Sequence, residues 1–240
     1  DEAKLMEQRE KMTLLKIAGV EKRYRQGEVD VDAITAIDLQ IDCGEFVALV
    51  GPSGSGKTTL LNLIGGLDRA DRGSIQLNGV ELTSMEETAL SQFRLTEIGF
   101  VFQAYNLVPV LSALENVELV MVLQGVPPQQ CRARAIEYLQ RVGLESMMDR
   151  RPAALSGGQQ QRVAVARALA AGPRLVLADE PTANLDSENA TALLDLMEQL
   201  CHQQQTTFIF STHDPRVMQR AERTVTLQDG RIISDQKSAL

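Results

Sequence analysis

The chain has no excess of positive charge. Its 32 Asp and Glu residues outnumber 24 Lys and Arg, giving a formal net charge of −8 over 240 residues and a sequence pI of about 4.9. Proteins whose main task is to bind a phosphate backbone carry a basic footprint, so nucleic acid is not expected as a partner. Long apolar runs are missing too. None approaches the ~18 residues of a membrane-spanning helix, and no secretory n-region and h-region open the sequence. Direct membrane insertion is therefore not expected. Three cysteines (Cys43, Cys131, Cys201) and two histidines (His202, His213) lie scattered without ligand spacing. That argues against a structural zinc site or a disulfide framework and for a reducing, cytoplasmic compartment. What remains is ordinary: 44% hydrophobic and 23% charged residues, with ample chain for a buried core.

Residues 1–12 are charged and weakly apolar, and read as a disordered or appended tail without function. Residues 13–240 read as a single domain, without internal repeats or low-complexity linkers. Strand-like pieces run over Leu14–Val20, Val29–Leu39 and Gly44–Val50, with Phe46–Val50 apolar enough for a strand buried on both faces. Thr58–Gly65 has helical character. Asn78-Gly79 between Gly73–Leu77 and Val80–Leu82 is a two-residue hairpin signal. From about Ser84 to Ala171 the pattern is mostly helical. Leu175–Ala178 and Thr207–Phe210 are further buried strands, separated by a helix with leucines at helical spacing (Leu193, Leu194, Leu200). Strands alternating with helices predict a doubly wound α/β core with the helix-rich middle as an inserted lobe.

Gly51-Pro52-Ser53-Gly54-Ser55-Gly56-Lys57-Thr58 satisfies G-x-x-x-x-G-K-[ST] between a predicted strand and a predicted helix. Glycines admit positive φ and let backbone N–H groups converge on phosphate oxygens. The helix that follows adds the partial positive charge of its N-terminus. Lys57 is a mobile point charge within reach of β- and γ-phosphates, and the Thr58 hydroxyl suits Mg²⁺. By chance alone the four fixed positions would recur in roughly one chain per hundred of this size. Leu175–Ala178 ends in Asp179-Glu180, as the second half of a metal–nucleotide site requires. Asp179 is the candidate metal ligand, and Glu180 the candidate for polarising a water that attacks the γ-phosphate. Alone, Asp-Glu-Pro would only cap a strand; the two motifs together point to a nucleoside triphosphatase.

Leu155-Ser156-Gly157-Gly158-Gln159 precedes a helix-favouring run. Alone it is a helix start with a serine cap. With the preceding motifs it makes the chain resemble the ATP-binding-cassette (ABC) ATPases, whose signature is LSGGQ. The resemblance runs from about Leu14 to Ile233 with all motifs in family order. It implies a P-loop NTPase (RecA-like) core with an antiparallel β subdomain and an inserted α-helical subdomain over roughly residues 85–165. It implies ATP and Mg²⁺, with Ser53, Ser55 and Thr59 joining the loop glycines and Lys57 around the nucleotide. Tyr24, otherwise a surface aromatic among Lys22, Arg23 and Arg25, matches the residue that stacks on adenine. Gln103 matches the glutamine that touches Mg²⁺ or water and senses the membrane partner. His213 matches the histidine at the γ-phosphate, although a lone histidine after a strand is more often structural. Ala183–Asp186 matches a loop crossing the dimer interface, with alanine where close relatives often have glycine. Two copies are expected to pack head to tail, with Ser156, Gly157, Gly158, Gln159 and Asp186 of one completing the nucleotide site of the other.

The chain lacks the coiled-coil insertion of DNA-repair members and the second cassette of ribosomal ones, which favours a role at a membrane with a separate permease subunit. The docking surface is expected near residues 103–117, including Tyr105, Leu107, Val108, Pro109, Val110, Leu111 and Leu114. Leu67-Asp68, Ala113–Val117 and Arg151-Pro152 are similar to the lipoprotein-release and macrolide-exporter branch. That branch works from the cytoplasmic face of the bacterial inner membrane and transmits force across it. The cell-division and antibiotic-resistance members share much of this pattern, so a regulatory ATPase of a cell-wall complex is the second reading.

Overall fold

The computed structural model describes residues 12–27 and 29–238; of the tail expected over 1–12, all but Met12 lies outside the described residues. Two sheets organise the chain. In the first, β1 (Thr13–Gln26) and β2 (Val29–Asp42) run antiparallel, and the free edge of β1 takes β4 (Arg72–Leu77), which turns back into β5 (Val80–Glu81). Asn78 and Gly79 have φ of 52° and 76°, the pair of left-handed residues that a tight two-residue hairpin needs.

The second sheet has the order β10-β9-β3-β8-β7-β6. Here β3 (Phe46–Val50) is flanked by β8 (Thr207–Thr212) and β9 (Arg223–Gln228), and β7 (Leu175–Asp179) and β6 (Ile98–Val101) continue beyond β8. The pairs β3–β8, β3–β9, β7–β8 and β6–β7 are parallel, and β10 (Arg231–Lys237) returns antiparallel on β9. The carboxyl ends of β3, β7 and β8 therefore share one edge, where open α/β sheets place their ligands.

All five residues of β3 are buried, and the period-two alternation of a strand sends them to two cores. Phe46 joins Phe208 and Phe210 on one face, its ring centroid 4.4 Å from that of Phe210. That face is covered by α5 (Gly157–Ala170) and α6 (Ser187–Gln204), with α3 (Ala113–Leu123) and α4 (Pro128–Arg141) packed outside α5. Val47 and Leu49 face the other way, against α1 (Lys57–Ile64) and the antiparallel sheet. Two further α-helices flank the sheet: α2 (Glu87–Glu97) precedes β6, and the short α7 (Pro215–Arg220) follows β8.

The structure departs from the sequence pattern in two places. The helical stretch expected over 84–171 is interrupted by β6, which is four residues long and so gives no periodicity to detect. Gly99 permits its close approach to α5, since a Cβ there would meet the Ala168 carbonyl oxygen at 2.8 Å. The β9–β10 hairpin was also not expected, although Asp229-Gly230 (φ 48° and 73°) is the same kind of turn as Asn78-Gly79.

Candidate active site

The loop leaving β3 is shaped by two glycines that nothing else replaces. Gly51 has φ 151°, and a Cβ there would lie 2.1 Å from the Leu227 carbonyl oxygen; Gly56 has φ 102°, with Ala33 O at 2.6 Å from the same imagined atom. The loop is anchored from behind, where Gly230 N donates to Ser55 O (3.1 Å) and Thr35 N to Gly230 O (2.8 Å). Gly56 also precedes α1 without a side-chain cap, so the first-turn N–H groups of that helix are left for an anion. Lys57 is buried, and its Nζ donates to Gly51 O (2.9 Å) and Pro52 O (3.0 Å). An ammonium carries three donors, and this geometry leaves the third free. Ser53, Gly54 and Thr58 are exposed along the loop; Thr59 is half-buried and Ser55 buried.

Across the shared edge, Thr58 Oγ1 donates to Asp179 and lies 3.2 Å from each carboxylate oxygen. These are hard oxygen donors of the kind Mg²⁺ takes. Among the described residues no cluster of three His, Cys, Asp or Glu side chains converges. An ion at Thr58 and Asp179 would therefore complete its shell with phosphate oxygens and water, as Mg²⁺ at nucleotide sites does. The donor set fits.

Glu180, just past β7, turns the chain with φ 47°, and its N–H donates to Ser211 O (2.9 Å). A left-handed conformation costs a residue bearing a Cβ roughly 1–2 kcal/mol, and here it ends the strand between the two acids. Glu180 Oε1 lies 2.7 Å from His213 Nδ1, with the glutamate side chain 18% and the histidine 76% exposed. A carboxylate only accepts, so Nδ1 carries the hydrogen, while among the described residues neither Oε2 nor His213 Nε2 has a hydrogen-bond partner.

Behind His213, Asp214 caps α7 and accepts from Arg216 N (2.9 Å), from the Arg216 guanidinium and from Thr182 Oγ1 (3.0 Å). The Arg216 guanidinium holds the Asp214 carboxyl down to about 2, against the opposing effect of burial. The unfolded value is about 3.9, so Asp214 contributes stability above that pH, and the contribution is lost as pH falls toward 2. Asp214→Asn is expected to lose about 1–2 kcal/mol at pH 7. The gap between wild type and variant in urea melts should shrink between pH 4 and pH 2; a gap constant with pH would refute the role of the charge. The same elements, with Glu180, Ala183 and Leu185, line a cavity of about 270 Å³.

The remaining predicted residues gather elsewhere. Gln103 is exposed just past β6, and its carbonyl accepts from Asn184 Nδ2 (2.9 Å). Ser156 caps α5 in a reciprocal box with Gln159: Ser156 Oγ accepts from Gln159 N (3.3 Å), and Gln159 Oε1 from Ser156 N (2.9 Å). A Cβ on Gly157 would come within 2.9 Å of the Tyr105 hydroxyl, and one on Gly158 within 3.3 Å of Asn189. Asp186 caps α6 by accepting from Asn189 N (2.9 Å) and Nδ2 (2.7 Å). Among the described residues no hydrogen bond or ion pair joins 156–159 or Asp186 to the 51–59 loop. The start of α5 is thus linked to 184–189 and not to the phosphate loop. Gln103 follows β6, whose Val101 pairs with Ala178 of β7, and so lies beside the Asp179-Glu180 end with its carbonyl tied to Asn184. Tyr24 lies on β1, its hydroxyl donating to Asp68 Oδ2 (2.5 Å).

The segment expected to dock a partner divides in two. Leu114 (3% exposed) is a core residue, contrary to its place in that surface, and Leu107 packs against the same core, whereas Val110 is 68% exposed. The buried Asn116 staples this loop, accepting from Val108 N and donating to Val108 O and Leu111 O. The open apolar surface beside it is a groove of about 850 Å³ between α2, β6, α3 and α5, lined by Phe100, Phe102, Leu119 and Leu123, which meets the segment at Asn106. Sequence reasoning also passed over Asp214 and Arg216. Asp-Pro opening a helix was the available signal for the first.

A glycine loop leaving the central strand, with acids ending the strand next but one, defines a P-loop nucleoside triphosphatase of the RecA-like kind. It carries an added antiparallel sheet and a helical lobe. The sequence profile of the ABC transporter family matches residues 34–183. The chain is 47% identical over 222 residues to the lipoprotein-releasing system ATP-binding protein LolD of Chromohalobacter salexigens, covering 92% of this chain and 94% of that one. It is 45% identical over 225 residues to the probable export ATP-binding/permease protein MacB of Pseudomonas entomophila, covering 94% of this chain and 34% of that protein. Among solved structures, a dimeric post-hydrolysis state of the ATP-binding cassette MJ0796 bound to ADP and Pi superposes with a TM-score of 0.87 at 40% identity, over 93% of this chain and 98% of that one. The chain belongs to the ABC transporter family as its ATP-binding cassette. It is an ATPase, with ATP as substrate and Mg²⁺ as the metal. No helix among the described residues is long and apolar enough to cross a membrane.

Proposed function

We propose that two copies of this chain close head to tail on ATP and drive a separate membrane permease, in export or lipoprotein extraction, by force transmitted across the membrane. The observation that carries the hydrolytic part is Glu180, fixed by His213 at 2.7 Å beside the Thr58–Asp179 pair. In this reading residues 13–240 act as one ATPase domain, with 85–165 as its helical subdomain. The loop Gly51–Thr59 cradles the triphosphate and Lys57 neutralises its β- and γ-oxygens. Thr58, Asp179 and Gln103 would hold Mg²⁺, which when bound neutralises charge on the phosphate oxygens. Glu180 Oε2 accepts a hydrogen bond from the attacking water, while His213 Nδ1–H keeps Oε1 occupied and the carboxylate aimed. Water oxygen bonds to the γ-phosphorus as the bond to the β–γ bridging oxygen breaks, the water proton passes to Glu180 Oε2, and ADP leaves with the electron pair of the broken bond. Ser156, Gly157, Gly158 and Gln159, with Asp186, serve the partner's nucleotide. That no hydrogen bond or ion pair among the described residues joins them to the 51–59 loop supports that division of labour.

The lipoprotein-releasing relative, alike over nearly the whole of both chains, supports a permease on another chain and a place at the cytoplasmic face of a bacterial inner membrane. Affinity capture from solubilised membranes tests this reading: a membrane subunit with a large extracytoplasmic domain engaging an export channel or a lipoprotein is expected. Recovery of one that binds a wall hydrolase would overturn it. The groove beside residues 103–117 is the surface for the permease's cytoplasmic helix. Leu123, 64% exposed on its wall, is the place to test it. Leu123→Glu is expected to abolish co-purification while the isolated chain hydrolyses ATP at its usual rate. Unchanged co-purification would sink the assignment.

A further inference from the structure

Asp68 follows α1 and marks only a branch in the sequence, yet its carboxylate is fully engaged. Oδ2 accepts from the Tyr24 hydroxyl (2.5 Å); Oδ1 accepts from Lys22 Nζ (2.8 Å) and Arg69 N (2.7 Å). Lys22 also donates to Arg69 O (2.8 Å), and its ammonium stands 5.0 Å from the centroid of the Tyr24 ring, within cation–π range. Lys22 is 11% and Asp68 29% exposed at the side chain. The backbone of the same segment is laced at both ends. Leu67 N and Asp68 N donate to Asn62 O in α1, Asp71 N donates to Glu21 O in β1, and Asp71 Oδ2 accepts from Arg23 N.

We propose that Asp68 is a positioning residue for nucleobase recognition, holding the Tyr24 ring by its hydroxyl and tying that ring to the phosphate-loop helix. The inference rests on the reading of Tyr24 as the adenine-stacking residue. Three features carry it. A phenol donating to a fixed carboxylate loses the rotational freedom that stacking would otherwise have to freeze out. With the Lys22 ammonium over one face of the ring, the opposite face is the one left to a base. Because Asp68 hangs from the end of α1, whose start holds the phosphate loop, base platform and phosphate cradle share one rigid element. Burial, reinforced by Asp68, raises the Tyr24 hydroxyl to about 12, so it remains a donor at any physiological pH.

The test compares ATP with inorganic tripolyphosphate, which has the phosphates and no base, by calorimetry and steady-state kinetics. Asp68→Ala is expected to weaken ATP binding and raise KM roughly fivefold, with kcat and tripolyphosphate affinity held. Asp68→Asn, which keeps a carbonyl acceptor, should restore part of the loss. Tyr24→Phe breaks the same hydrogen bond while leaving Lys22–Asp68 intact, and should lose a similar amount. On a Tyr24→Ala background, Asp68→Ala should add nothing. Equal weakening toward tripolyphosphate, or ATP affinity unchanged by Asp68→Ala while Tyr24→Ala lowers it, would overturn the proposal. If Tyr24→Ala itself leaves ATP affinity unchanged, the stacking reading falls and the proposal with it.

Discussion

Glu180→Gln is expected to stop turnover while ATP still binds. The amide matches the carboxylate in shape, can still accept from His213 Nδ1–H, and leaves the loop, Lys57 and the Thr58–Asp179 pair untouched. What it loses is the negative charge of the carboxylate, and with it the base proposed to polarise the water. General-base assistance of this kind contributes roughly 10²–10⁴-fold, so single-turnover hydrolysis should fall at least about a hundredfold. Binding measured by calorimetry should change by no more than about twofold, because the proposed role of Glu180 is on the water and not on the ground-state nucleotide. In the proposed cycle hydrolysis reopens the pair, so the variant should accumulate as a dimer in ATP and stay monomeric without it. Size-exclusion chromatography with and without ATP reads that outcome. Wild-type turnover would remove Glu180 from the reaction, and a monomer with bound ATP would remove the head-to-tail pair.

Much of this site was legible because its chemistry is local in sequence. Gly51–Thr58 is one contiguous loop whose Gly51 and Gly56 are dictated by contacts a Cβ cannot make, and Asp179-Glu180 ends an apolar run that forms a buried strand. Phe46–Val50 was readable for the same reason, since full burial leaves no polar residue to blur it. What escaped detection depends on contacts far apart in the chain. The pairing of β6 with β7 is seen only once Gly99 is set against Ala168 O. The hydrogen bond of Tyr24 to Asp68 spans 44 residues, and that of Thr182 to Asp214 spans 32. Within the expected docking segment the pattern did not separate surface from core, because density of apolar residues does not say which face they take. Leu107 and Leu114 turn inward around Asn116, and the exposed groove is assembled instead from α2, β6, α3 and α5.

Lys57→Ala should remove nucleotide binding rather than turnover alone. The side chain is 8% exposed and folds over its own loop, with Nζ on Gly51 O and Pro52 O, so the substitution deletes both a cation and a brace. Charge-assisted hydrogen bonds contribute about 1.5–3 kcal/mol each, so losing the one that the free third donor can give to a phosphate oxygen corresponds to a loss of affinity of roughly ten- to a hundredfold, before the loss of the brace is counted. Lys57→Met keeps the aliphatic stem and drops the ammonium, and with it both the charge and the Nζ hydrogen bonds to the loop. Binding as weak as that of Lys57→Ala, by calorimetry at fixed salt, assigns the loss to the ammonium and not to the packing of the stem. Affinity near wild type in Lys57→Met would mean the ammonium does not contact phosphate. The expected effect is large because of the acidic balance of the chain. A protein of net charge −8 repels a polyanionic nucleotide from a distance. That repulsion is screened beyond about 8 Å at physiological salt, so attraction has to come from donors inside the loop. Among these the backbone N–H groups supply partial charges, and Lys57 is the one full positive charge that the motif itself provides.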